Sequence, residues 1–432
     1  MPMDEMKKWT LYITFLVAGF ATGIGSIGLF PQFWMEYGMT GLIVHVLFLA
    51  LFTYLAILET EVVMKSGYYF VELFQKVLRK PAMVLAFFIV IVMFLSYYTA
   101  NVMLSLLSPV LGTGTIGRLI AKVIMFAIVF VIITRAKEKT FVIMAGGSLL
   151  FVIAVIVTAI AFKVVIPENP AYLNTAKSMV FSWPGISFNM IKDAAIRAIY
   201  GVGLGFAFYL MLGSFFNERF NAKLIIGSGI FIEFIISVLS TVIVVYSATL
   251  ATLQRLTQYA YGGEEGAIKF MGELPQILAH HPLLLALIAI SIFFAGLTSI
   301  LPTAEVGLQI AESTMKISRS KAATYLTALA LGLGILDSPP SIADMMLKAV
   351  TISAFFTAIY EAYPVMVGKV SSVNRGIAVF ASFIFAIAGL GAFYTYGKIG
   401  GVYILSAILA AIVVLFGLFG NSLVKRKVGE GA

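Results

Sequence analysis

The chain is 432 residues long, 61% hydrophobic, 11% charged and formally +9, with a mean hydropathy of +1.03. A soluble domain carries roughly 25% charged and about 45–50% apolar residues, so a soluble enzyme and a disordered chain are excluded. The absence of cysteine also removes a disulfide scaffold, thiolate catalysis and Cys-ligated metal. The hydrophobic residues, about 264 in number, suffice for roughly a dozen membrane helices of ~20 residues.

Cut at its Gly, Pro and charge clusters, the sequence predicts apolar spans near 10–35, 40–64, 82–110, 117–134, 140–166, 187–215, 223–251, 283–312, 321–336, 343–367, 375–396 and 400–424. The first is too long for the apolar region of a signal peptide and is read as a retained span. It carries Gly19, Gly23, Gly25 and Gly28 just before Pro31, and the sixth carries Gly201, Gly203 and Gly205. Glycine costs about 1 kcal/mol relative to alanine in a helix interior, so both clusters predict a break in their span. Unwound backbone at membrane depth is tolerated only where it lines a cavity or is buried in protein. The plainer use of such glycines is close helix packing, and Gly19 and Gly23 have the small-xxx-small spacing. Two matching breaks five spans apart favour a binding site between them. That separation predicts an all-α integral membrane protein of about 12 helices with a 5+5 inverted repeat, 8–166 and 187–368, and two additional helices at 375–424, all in one transmembrane transporter domain over 1–432.

The connections at 167–185 and 259–281 are long enough for short surface helices that form part of a lid. With the N-terminus cytoplasmic, 19 of the 29 Lys and Arg residues fall on the cytoplasmic side. They are Lys7, Lys8, Lys65, Lys76, Arg79, Lys80, Arg135, Lys137, Lys139, Arg219, Lys223, Lys316, Arg319, Lys321, Lys369, Arg375, Lys425, Arg426 and Lys427. The basic excess therefore reports topology in a multi-pass protein of the plasma or inner membrane, not a nucleic-acid partner. Gly23-Ile24-Gly25-Ser26-Ile27-Gly28 satisfies G-x-G-x-x-G, but no preceding strand or βαβ unit surrounds it, so dinucleotide binding is set aside. His280 and His281 are boundary residues of a span, and nothing in the motifs points to an enzyme.

The glycine-rich first span ending in Phe30-Pro31, together with Ala295-Gly296-Leu297-Thr298-Ser299 in the eighth, resembles the neurotransmitter:sodium symporters, in particular prokaryotic sodium-dependent amino-acid transporters. The resemblance covers roughly residues 8–368 and is strongest in spans 1, 6 and 8. It implies a LeuT-like fold with broken helices 1 and 6, the usual illustration of a midplane site at paired helix breaks. It also implies Na⁺ as the coupling ion. A second sodium site of the family type would use Gly19, Thr22, Ala295, Thr298 and Ser299, which supply carbonyls and two hydroxyls to a hard cation. Taken alone, Thr298 and Ser299 would back-bond to their own helix.

At the first sodium site the match is Ala21, Ser26, Gly201 and Glu233, where the family's asparagine is replaced by Ser26 and its span-6 hydroxyl by Gly201. Glu233 lies in an otherwise apolar run, where an ionisable group is by default functional. Three roles stay open for it: a sodium ligand, the carrier of a coupling proton, or a buried partner of another polar span residue. Ser237 aligns with the position that separates chloride-dependent from chloride-independent members, and chloride dependence stays open.

By the same resemblance a substrate carboxylate meets the free amides of Ile24 and Gly25 and the hydroxyl of Tyr98, and the amine meets carbonyls near Ala21 and Thr22. The side chain meets Phe94, Tyr98, Tyr200, Gly203, Phe206, Ser299 and Thr303. Gly203 stands where serine is common, and the room so freed favours a hydrophobic or aromatic amino acid. The family's outer-gate pair is absent, with Leu29 and Met346 in its place, and Arg197 is the substitute gate cation, facing Glu36 or Asp344. Trp9 matches the inner-gate aromatic, with Lys7 and Lys8 beside it and Ser214 and Glu312 as partners. Glu61, Glu305 and Glu361 fit acidic positions of structural networks. The implied activity is sodium-coupled symport of an amino acid by alternating access. Proton-coupled exchange through Glu233, or a non-transporting amino-acid sensor on the same scaffold, are the alternatives. Beyond substrate and Na⁺, membrane lipid is the expected partner.

Overall fold

The computed structural model describes residues 3–135, 137–167, 169–250 and 253–424; Lys425, Arg426 and Lys427 of the basic count lie outside them. No strand occurs among the described residues. The first span is α1 (Met3–Ala21) followed by the opening of α2 (Ile24–Ser66), with the helix interrupted at Thr22 and Gly23. Inside α2 a second interruption at Gly38 (φ 55°) turns the chain from the first span into the second. A side chain there would overlap Ser182, whose carbonyl accepts the Met39 amide at 2.8 Å.

Then come a short helix α3 (Phe70–Glu72) running into a π-turn, α4 (Pro81–Leu111), α5 (Thr115–Ile133) and α6 (Lys137–Val165). The two long connections hold short helices: α7 (Pro170–Val180) in the first, and α12 (Gly263–Ile277) in the second, preceded by α11 (Leu253–Tyr261), which begins before it. Between them the sixth span divides into α8 (Phe188–Val202) and α9 (Phe208–Phe215), and the seventh is α10 (Ala222–Thr249). The remainder is α13 (Pro282–Met315), α14 (Arg319–Leu336), α15 (Pro340–Val367), α16 (Ser372–Ile399) and α17 (Tyr403–Phe419). Proline opens α4, α7, α13 and α15, where its missing N–H costs nothing and its φ suits the first turn. Ser187 caps α8 by accepting the Met190 amide at 3.1 Å.

Among the described residues, eight helices are long and apolar enough to cross a membrane. The other expected spans are filled by α1, the α8–α9 pair, α14 and α17, which fall short in length or apolarity. Polarity is distributed in the reverse of a soluble protein. Leu150, Ile160, Phe380 and Phe383 are exposed, whereas Glu59, Lys122, Glu233, Asp337 and Glu361 are buried. With lipid as solvent, that is the arrangement of lowest free energy, because each buried charge then has protein around it. In the centre, α1 packs on α6, α10 and α13, and α2 packs on α8 and α10. Both helix breaks are thereby enclosed.

Candidate functional site

At the first break, the Thr22 hydroxyl donates to the Ala18 carbonyl at 2.6 Å, and the Ser26 amide donates to Gly23 at 3.1 Å. The amides of Ile24 and Gly25 begin a new helix and so have no intrahelical acceptor, which makes this end a ready site for an anionic group. The side chain of Ile24 lies outside the described residues. A Cβ on Gly23 would stand 3.6 Å from the Tyr98 hydroxyl and 3.7 Å from Ser299 Oγ. The α2 amides, Tyr98 and Ser299 therefore converge on one point.

The eighth span meets the first at the same depth. A Cβ on Gly19 would lie 3.0 Å from Thr298 Cβ and would overlap Ser148 of α6, and Ser299 Oγ donates to the Phe20 carbonyl at 3.5 Å. Thr298 donates to Phe294 at 2.8 Å and to Ala295 at 3.1 Å, and Ser299 to Ala295 at 3.1 Å. The plainer use weighed for these residues is present in each case: Gly19 permits close packing, and the Thr298 and Ser299 hydroxyls back-bond to their own helix. A hydroxyl that donates its proton to a carbonyl still has lone pairs to offer a cation.

The sixth span breaks over Gly203–Ala207, where Gly203 (φ 79°), Gly205 (φ 101°) and Ala207 (φ 58°) are all left-handed. Neighbouring helices satisfy the freed backbone: the Gly205 amide donates to Glu361 Oε2 at 2.5 Å, Thr357 donates to the Gly205 carbonyl at 2.7 Å, and Tyr209 donates to the Val202 carbonyl at 2.5 Å. Thr60 reaches the Tyr209 carbonyl at 3.0 Å. Gly203 does not open room beside a substrate, contrary to the expectation. A Cβ there would stand 2.6 Å from Cε1 of Phe20, whose ring fills the space.

Ser26, Gly201 and Glu233 come together. Glu233 Oε1 accepts from Ser26 at 3.0 Å and from Ser237 at 2.8 Å, and a Cβ on Gly201 would be 3.6 Å from each carboxyl oxygen. The acid is buried with defined polar partners. Ala21 is buried at the end of α1.

Of the aromatic residues, Phe94 stacks on Tyr98 with ring centroids 4.6 Å apart and meets Phe206 at 5.1 Å. Tyr200 stacks instead on Phe355 at 5.7 Å. Thr303 donates to the Ser299 carbonyl at 2.7 Å, one turn from the convergence point. Arg197 has a buried Nη1 without a hydrogen-bond partner and lies within electrostatic reach of Glu36 and His45. Asp344 is not its partner, because it accepts from Tyr403 at 2.6 Å and stands 3.9 Å from Lys348. Trp9 meets Tyr12 edge-on at 5.9 Å, while Ser214 accepts the Phe70 amide at 2.8 Å and Glu312 stands 4.0 Å from Arg319.

Glu59 and the Lys122–Asp337 pair escaped the sequence reading, and Glu305, expected in a network, finds its partner in Arg319. Glu61 was expected in a network, yet it pairs with Lys65 at 2.6 Å near the surface, and Glu59, two residues earlier, is the fully buried acid. Lys122 donates to the Gly334 carbonyl at 2.7 Å and pairs with Asp337, whose other oxygen accepts from Ser96 at 2.6 Å. Arg319 grips Glu305 through two hydrogen bonds of 2.9 and 2.6 Å. A charge in the middle of an apolar run was the available signal for Glu59 and Lys122.

Two broken helices five spans apart, facing each other across a hydroxyl-bearing eighth span, define a multi-pass membrane protein of the LeuT-like fold. Among solved structures the chain is similar to MhsT, crystallised in complex with L-phenylalanine, with a TM-score of 0.59 and 16% sequence identity over 89% of this chain and 98% of that one. At this identity the likeness is one of fold. No family model matches the chain, and no curated protein matches it in sequence.

Proposed function

We propose that this chain is a sodium-coupled amino-acid symporter of alternating access. The observation that carries the reading is the convergence at the first break, where the opening of α2 at the Gly25 amide, the Tyr98 hydroxyl and Ser299 Oγ surround Gly23. Amides and a phenol can hold a carboxylate, and the carbonyl end of α1 at Ala21 and Thr22 can accept an ammonium group. Phe94, Phe206 and Thr303 give the adjoining wall an apolar and aromatic character, which suits a hydrophobic or aromatic side chain. The similarly folded MhsT was crystallised with such an amino acid, L-phenylalanine.

Sodium would sit between the carbonyls of Gly19 and Thr22, the Ala295 carbonyl, and the Thr298 and Ser299 hydroxyls. Its binding would tie span 1 to span 8 and favour the state in which the site faces outward, because the ligand set comes apart when span 1 tilts. A second cation would find Glu233, Ser26 and the carbonyl of Ala21 near Gly201.

Uptake of radiolabelled amino acids into proteoliposomes is the test. An imposed Na⁺ gradient is expected to stimulate accumulation of at least one hydrophobic amino acid, and Thr298→Val with Ser299→Ala to weaken sodium-dependent binding at least about tenfold, a loss of about 1.4 kcal/mol. Accumulation driven by a pH gradient alone and abolished by Glu233→Gln would shift the coupling to protons. Saturable binding without flux would make the chain a sensor.

A further inference from the structure

The break in span 6 is closed from behind by two acids that neither the ion site nor the substrate site employs. Glu361 on α15 accepts the Gly205 amide through Oε2, and the amides of Ala207 and Tyr209 face the same carboxyl. Its Oε1 is buried and has no hydrogen-bond partner. Glu59 on α2 stands within electrostatic reach of Glu361, and both of its carboxyl oxygens are buried without a partner. Both residues are 0% exposed.

The polar groups around the pair are already committed. Thr60 and Thr357 donate to the carbonyls of Tyr209 and Gly205, and Tyr209 donates to Val202. Tyr209 and, beyond it, Glu233 are the titratable groups that face the two acids. Among the described residues no Lys, Arg or His forms an ion pair with either acid. Two ionised carboxylates side by side in an apolar interior suffer both desolvation and mutual repulsion. A neutral carboxyl beside a carboxylate avoids the repulsion, and its O–H supplies the donor that the unpaired oxygen lacks.

We propose that Glu59 and Glu361 form a proton-binding site behind the break of span 6, with one proton resident on Glu59 and directed toward an ionised Glu361 that holds the Gly205 amide. The site is separate from the Glu233 cluster and independent of what the chain carries. Release of the proton to water places a second negative charge against the break and competes for the Gly205 amide, so the conformation of span 6 responds to pH.

Infrared spectroscopy of the full chain in liposomes tests this through the carbonyl stretch of a protonated carboxyl. The band is expected in the wild type at neutral pH, to persist in Glu233→Gln, to disappear in Glu59→Gln and to shift in frequency in Glu361→Gln. Its absence from the wild type, its survival in Glu59→Gln, or its loss in Glu233→Gln alone would overturn the proposal. Should either pair variant fail to fold, titration of the wild type decides. A band that persists as pH rises well past the range of exposed carboxyls supports the site, and one that vanishes together with theirs refutes it.

Discussion

Gly205 concentrates the chemistry of the sixth-span break in one residue. Its φ of 101° is open to glycine and costly for any L side chain, and a Cβ would overlap the Ala354 carbonyl. Its amide and carbonyl are both held by side chains of α15, so the backbone has no alternative path. Gly205→Ala should therefore cost at least the about 1–3 kcal/mol of a strained backbone, with the overlap added. Gly146, in the interior of α6 with nothing within 4 Å of a Cβ, is the control: alanine there should be neutral or stabilising by about 0.5–1 kcal/mol. Thermal unfolding of both variants in detergent separates the outcomes, and equal stability would mean that the break can relax around a side chain. Ala207 adopts a left-handed φ without being glycine, which no sequence pattern announces. Its conformation is imposed by the hydrogen bonds on either side of it.

The short helices α11 and α12 illustrate how an element is specified at a distance. The sequence shows a polar connection of helical length at 259–281, and α12 with the last residues of α11 occupies it. What it does not show is where they dock, because the contacts join residues more than 200 positions apart. Tyr259 donates to the Gly28 carbonyl at 2.6 Å, Gln32 donates to the Ala260 carbonyl at 3.0 Å, and a Cβ on Gly28 would stand 3.0 Å from Met271 Cγ. These bonds clasp the part of span 1 that follows its break. Tyr259→Phe removes the phenolic donor from the Gly28 carbonyl, at about 0.5–1.5 kcal/mol. If the clasp opens before substrate leaves, dissociation of a bound amino acid should quicken roughly tenfold. An unchanged rate would mean that exit bypasses α11 and α12. The breaks of spans 1 and 6 were legible for the opposite reason, since glycine clusters carry their own local cost. The partner of Glu233 was half legible: an acid in an apolar run demands polar company, the family resemblance grouped Ser26 with it, and the packing of α10 on α2 supplies the contact.

At the scale of the whole molecule, buried charge and surface charge do different work. Lys122, Asp337 and Ser96 tie α5, α14 and α4 together inside the protein, with Arg118 within electrostatic range. Removing one charge strands the other, so Asp337→Asn is expected to destabilise by about 3–5 kcal/mol, whereas Lys122→Met combined with Asp337→Leu should be nearly neutral. Unfolding midpoints of the single and double variants decide between a clamp and a dispensable contact. The surface charges instead set orientation. The spans alternate sides, so a cytoplasmic N-terminus puts α7 outside and the connection between α13 and α14 inside, where Lys316, Arg319 and Lys321 cluster. The chain has no cysteine, so single introduced thiols report sidedness without background. Ser178 on α7 and Ser320 at the start of α14 are both exposed. In intact cells Ser178→Cys should react with a membrane-impermeant maleimide, and Ser320→Cys only after permeabilisation. The reverse pattern would invert the protein, and with it the direction in which a sodium gradient could drive the site.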